Sequence, residues 1–193
     1  MKRIELLKKK IQDLYEAKNP NRADWADWLY EHHVFIVAEN ARILAKRFGA
    51  NEEAVMASAM LHDVADAEMS RFDDRHKNRS IEIASDFSLK AGFSENEVKD
   101  IINALRHHNC RDGQVPASLD GKVMATADAV AHLATNYYTL ALEALVKEEK
   151  TKDQIDSWAL PKIERDFKDK IFFDDVREEV RADYERVKAL FSK

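Results

Sequence analysis

Apolar side chains recur along this chain at helical spacing almost throughout. Ile4, Leu7, Ile11 and Leu14 fall at steps of three and four, which predicts an amphipathic helix over residues 2–18 that ends at Asn19-Pro20-Asn21. A long helix is expected next, from Asp24 as N-cap to Phe48, carrying Trp25, Trp28, Val34, Ile36, Val37, Ala41, Leu44 and Ala45, with Gly49 as its left-handed stop. Asn51 caps a third helix, whose stretch Ala57-Ser-Ala-Met-Leu-His-Asp-Val-Ala-Asp66 begins small and apolar and ends with three polar groups. The pattern fails between about 67 and 77, which reads as a loop. A fourth helix turns Ile81, Ala84, Phe87 and Leu89 inward and closes at Gly92, and Ser94 with Glu97 forms a capping box that opens a fifth. That helix carries Val98, Ile101, Ile102 and Leu105 and runs into Arg106-His107-His108. After a loop at 110–117 with Asp112-Gly113 and Pro116, a sixth helix from Ser118 places Val123, Met124, Ala127, Val130 and Ala131 inward, with Asp128 among them.

Beyond Thr135 the pattern predicts a helix through Tyr137, Leu140, Leu142 and Leu145, then a capping box from Thr151 to Gln154. Pro161 is expected to interrupt the helix that this box opens, and a last helix to open between Asp175 and Glu178 and run to Leu190. The charges of this C-terminal part read as a solvated face. No strand alternation, internal repeat or linker is visible. The expectation is a single all-α domain over residues 1–193.

Composition narrows the class further. Four Gly and three Pro are too few for the turns of a sandwich or barrel. A formal net charge of −5 argues against a dedicated nucleic-acid binder, although it leaves room for a local basic pocket. The single cysteine, Cys110, excludes an intramolecular disulfide. With no membrane-spanning run and no signal-peptide pattern at the N-terminus, it places the expectation in the cytoplasm.

The chemistry concentrates on the third helix. If that helix continues, Asp66 lies one turn beyond His62 on the same face. An imidazole and two carboxylates entering an apolar helix are costly unless paired, and a metal would pair them. His33 on another helix and Asp128 on an otherwise apolar face are the available partners. For any one of these residues alone a satisfied burial is the simpler reading; for the set, one metal site is more economical. Imidazole plus carboxylate suits Mn, Fe, Co, Ni or Zn better than Mg or Ca.

The order His33, His62-Asp63, Asp128, with Ala-Asp-Ala around Asp128 and an alanine-rich run before Leu61-His62-Asp63, resembles the HD-domain superfamily of metal-dependent phosphohydrolases. The likeness covers roughly residues 25–140, so the N-terminal helix 2–18 and C-terminal helices 141–192 would pack on an HD-type helical bundle. His33 rather than His32 stands at the family's distance ahead of Val37-Ala38. The resemblance implies that His33, His62, Asp63 and Asp128 ligate one divalent metal, and that His76 and His108 stand where some members hold a second, with Asp63 as the bridge. It also implies a proton-transfer role for Asp66, whose alternative is a carboxylate that orients His62. His132 reads as structural, and His32 is given no role.

A phosphate substrate needs positive charge. Arg71, Arg75, Lys77 and Arg79 lie close to His76, and Arg106 with His107 precedes His108; Arg75, Lys77, Arg79, Arg106 and His107 are the candidate substrate contacts, with pairing to Asp73 and Asp74 as the competing reading. The leading expectation is a hydrolase of a nucleotide or similar small phosphate ester that uses metal-activated water. The Gly-Tyr-Pro signature of the cyclic-di-GMP branch is absent. Asp66-Ala67 lacks the acidic pair of the guanosine tetraphosphate branch. Nucleoside monophosphates and dinucleoside polyphosphates stay open. A di-iron oxygenase with the same six His and Asp ligands is the second class and a non-catalytic signalling domain the third. The C-terminal helices could cover the pocket, mediate a homodimer or complete the core.

Overall fold

The computed structural model describes residues 2–111 and 113–191, so Asp112 of the expected loop lies outside the described residues. The described residues form helices and no strand. In order these are α1 (Lys2–Glu16), α2 (Ala26–Leu29), a π turn (Tyr30–Val34), α3 (Phe35–Phe48), α4 (Glu52–Leu61), a 3₁₀ turn (Val64–Ala67), α5 (His76–Ala91), α6 (Glu95–Arg106), α7 (Leu119–Ala134), α8 (Tyr137–Lys147), α9 (Lys152–Lys168), α10 (Asp174–Glu179) and α11 (Arg181–Phe191). The all-α expectation holds.

α3, α4 and α7 form the centre. α3 packs on both α4 and α7, and α4 also meets α6 and α7. Small buried residues line these helices, among them Ala38, Ala41 and Ala45 of α3, Ala54 and Ala57 of α4, and Ala127 and Ala131 of α7. Short side chains let helix axes approach closely, so side chains from three helices can converge on one point. The Ser58 hydroxyl ties α4 to α6 by donating to the carbonyls of Ala54 at 2.7 Å and Ile101 at 3.0 Å. α1 lies on α4 and α5, while α9 and α11 pack on each other and on α7. Buried residues from Ile4 to Phe191 join one apolar cluster.

Local sequence sets most of the helix ends. Asn51 caps α4 by accepting from the Ala54 amide, and Ser118 caps α7 by accepting from that of Gly121. The capping boxes of Ser94 with Glu97 and of Thr151 with Gln154 form as expected. Gly49 closes α3 at φ +77°. Gly121 is required for space, since a Cβ there would meet Pro116 Cβ at 2.7 Å.

Five expectations change. The helix expected from Asp24 begins at Ala26, without a side-chain cap, and passes through the π turn. The third helix stops at Leu61 rather than reaching Asp66. There the chain tightens into a 3₁₀ turn, where the Asp66 carbonyl accepts from the Ala23 amide at 2.8 Å and the Ala65 amide donates to Ser80 Oγ at 3.2 Å. Pro161 lies inside α9 without ending it. Pro161 and Ser157 are both on the exposed face, so the carbonyl that loses its partner can turn to solvent. The last helix is two, α10 and α11, separated at Val180. Leu89, expected inward, is exposed.

Candidate metal centre

Four helices deliver the site. His33 sits in the π turn, whose first residue Tyr30 stacks on Tyr15 of α1 at 4.6 Å and meets Phe35 edge-on at 5.3 Å. A π turn carries one residue more than an α turn and is frequent at functional sites. It lets α2 and α3 keep their apolar faces in the core while His33 is turned inward. His62 and Asp63 follow the end of α4, His108 lies two residues past the end of α6, and Asp128 is in the middle of α7.

Asp128 Oδ1 lies 3.1 Å from His33 Nε2, 3.4 Å from His132 Nε2 and 3.8 Å from His62 Nε2. His62 Nε2 is also 3.6 Å from Asp63 Oδ2. Among the described residues two groups bring ligand atoms within 4.8 Å of one another: His33, His62 and Asp128, all buried, and His62, Asp63 and His108. The Nδ1 atom of His62 contacts the Ala59 carbonyl at 2.6 Å, and that of His108 contacts the Leu105 carbonyl at 2.7 Å. A carbonyl accepts only, so each Nδ1 carries the proton and each Nε2 keeps its lone pair. Burial lowers the pKa of His33, and burial with the neighbouring His62 takes His108 down to about 4, so both rings are neutral at pH 7.

The donor set fits a divalent transition metal. Asp128 Oδ1 is buried and has no hydrogen-bond partner among the described residues, although imidazole nitrogens surround it. A buried carboxylate oxygen without a hydrogen bond of good geometry, facing the bare Nε2 of His62, is expensive, and a shared cation removes the cost.

Two layers of charge hold these ligands. On one side the ammonium of Lys170, itself buried, pairs with Asp128 Oδ2 and lies 3.3 Å from Asp166 Oδ1. Asp166 Oδ2 contacts His132 Nδ1 at 3.0 Å and accepts from Lys162 at 2.9 Å and from the Tyr138 hydroxyl at 2.6 Å. Burial raises the Asp128 carboxyl pKa, but the net shift is downward, and the ammonium of Lys170 is the fixed charge that holds the group ionised. His132 stacks on His33 with ring centroids 4.8 Å apart. On the other side the Arg71 guanidinium lies 3.0 Å from Asp63 Oδ2 and pairs with Asp66, whose Oδ1 also lies 2.9 Å from His76 Nε2. Burial raises the Asp63 carboxyl pKa; the Arg71 guanidinium outweighs it, and the net shift is downward.

The structure therefore brings His33, His62, Asp63, His108 and Asp128 together. Asp66 does not stand over His62; with α4 ended at Leu61 it turns to Arg71 and His76 instead. His76 belongs to neither ligand group. Arg75 is held by Asp73 on the surface, Arg79 by Glu68 and Glu82, and Lys77 and Arg106 are exposed. His107 is half-buried, its Nδ1 unpartnered among the described residues. The charge pattern puts Lys162, Asp166 and Lys170 on a solvated face, yet Asp166 and Lys170 are buried. Their spacing in steps of four is the one signal in the sequence, and an exposed ion-pair ladder shares it.

An all-α protein with a buried histidine and carboxylate centre is the class these observations define. A sequence profile of the HD domain matches residues 30–133, more than half of the chain. The chain belongs to the HD-domain family. No curated protein and no solved structure gives a significant match.

Proposed function

We propose that this protein is a metal-dependent phosphohydrolase acting on a nucleotide or a similar small phosphate ester. The observation that supports this best is the buried, unpartnered Oδ1 of Asp128 among the ring nitrogens of His33, His62 and His132. His33, His62, Asp63 and Asp128 would hold the metal, with His108 beside them. When bound, a divalent transition metal supplies an acidified water and charge neutralisation for a phosphoryl group. The remaining steps belong to the chain. Lys170 occupies one oxygen of Asp128 and so fixes which oxygen faces the centre. Half-exposed Asp63 and Arg71 stand where substrate would arrive, and the planar guanidinium of Arg71 can donate to two phosphate oxygens at once. Asp66, buried beneath Arg71, aims that guanidinium, and a proton it exchanges would pass through His76. A di-iron oxygenase would need His76 as a ligand, and His76 belongs to neither ligand group among the described residues, which favours the hydrolase.

The test is to load the protein with Mn, Fe, Co, Ni or Zn and screen nucleoside mono-, di- and triphosphates and dinucleoside polyphosphates for phosphate or pyrophosphate release, with elemental analysis of each sample. At least one of these should be cleaved, and Asp63→Ala should lose bound metal and hydrolysis together. A protein that binds iron, consumes dioxygen and cleaves none of them would overturn the proposal.

A further inference from the structure

We infer that Arg71 takes the place of a second metal ion, so that the centre is mononuclear and its second cation is a guanidinium. The inference rests on the hydrolase reading above and concerns how many ions that site holds. A second ion would need Asp63 as a bridge and His76 and His108 as its other ligands. His108 is in place, with its bare Nε2 in the group formed with His62 and Asp63. Asp63 shares that group but is also engaged by Arg71, and His76 lies outside it. Asp63 Oδ2 is already 3.0 Å from the Arg71 guanidinium. His76 directs Nε2 to Asp66 Oδ1 at 2.9 Å, and neither of its ring nitrogens joins a ligand group among the described residues.

The arrangement around Arg71 is a built one. Its Nε donates to Asp66 Oδ1 at 3.2 Å while its terminal nitrogen pairs with Asp66 Oδ2, a bidentate fork on a carboxylate that is itself buried. The same terminal nitrogen reaches Asp63. Asp66 thus orients both His76 and Arg71, withdrawing a ligand from the second position and filling the space with a fixed positive charge. A divalent ion placed there would meet a guanidinium at contact distance, with Asp63 shared with Arg71 and His76 turned to Asp66. An arginine cannot be deprotonated in a protein, so this cation is present at any pH and metal supply. Arg71 is a positioning residue toward Asp63 and the charge that a second ion would otherwise carry toward a phosphate.

The experiment uses Mn²⁺ with the full-length protein. Wild type, Arg71→Ala and Arg71→Lys are saturated with Mn²⁺ and freed of excess. Ions per chain are then counted by elemental analysis, and electron paramagnetic resonance reports whether the spins are isolated or coupled. Wild type and Arg71→Lys should hold one ion with an isolated-spin spectrum. Arg71→Ala should gain a second ion with a coupled spectrum. Arg71→Gln, which keeps a donor for Asp66 without the charge, provides the same comparison should the alanine variant not fold. Two coupled ions in wild type would overturn the inference and leave the hydrolase reading standing. One ion in folded Arg71→Ala and Arg71→Gln would also overturn it, because the charge would then exclude nothing. No ion in wild type would overturn the hydrolase reading and this inference with it.

Discussion

Asp128 divides its two carboxylate oxygens between different tasks, one for Lys170 and one for the imidazoles. That division works only while His33 and His132 are neutral, and burial keeps them so. His108 is held at about 4 and His132 at about 3, both chiefly by burial, and His33 is also lowered. In the unfolded chain the same side chains titrate near 6.5. Between about pH 4 and 6.5 the unfolded state therefore binds more protons than the native state, so stability rises with pH across that window. Metal-free protein should lose about 3 kcal/mol of unfolding free energy between pH 7 and pH 5. Urea titration in the presence of a chelator measures this; a stability that is flat or higher at pH 5 would contradict the neutral-histidine assignment.

Among the elements, the π turn at Tyr30–Val34 has the clearest functional reason to exist. Removing one residue changes the phase of a helix by about 100°, so deleting exposed Glu31 would force a choice. Either α2 keeps Leu29 buried and His33 swings away, or His33 stays and α2 loses its seat. Metal affinity should fall at least tenfold while circular dichroism still reports a helical protein; retained affinity would show that the turn is incidental. This turn was not legible in the sequence, because Trp25, Trp28, Val34 and Val37 fit one uninterrupted helix. Helix starts with local chemistry were legible: Asn51, Ser94 and Thr151 each bind an amide three residues on, and no distant partner is needed. The end of α4 was not, since the 3₁₀ turn depends on Ala23 and Ser80, which are remote in sequence. The candidate ligands were readable because their order along the chain is a family pattern. The role of Lys170 was not, because a charge fated to be buried looks like one bound for solvent until the partner helix is in place, and nothing local singled out Arg71 from the other basic residues near His76.

At the scale of the molecule, no helix among the described residues is long and apolar enough to cross a membrane. The centre is enclosed instead by its own C-terminal part. Thr126 of α7 donates to the Lys170 carbonyl at 3.1 Å and accepts from the Phe172 amide at 3.1 Å. Phe173 stacks on Phe48 at 3.8 Å, and Arg47 pairs with Asp175 and Glu179. The segment after α9 is thereby fastened to α3 and α7 while it delivers Lys170 to Asp128. The consequence concerns local opening. α9 cannot lift away with the Lys170 that follows it without leaving Asp128 as a buried, uncompensated anion, so the C-terminal helices and the centre should open as one cooperative unit. Native-state amide exchange should give α9 and the turns of α7 around Asp128 the same opening free energy, and added metal should slow both equally. Lys170→Met should separate them, with α9 exchanging faster than α7; unequal protection in the wild type would show that the two already open independently.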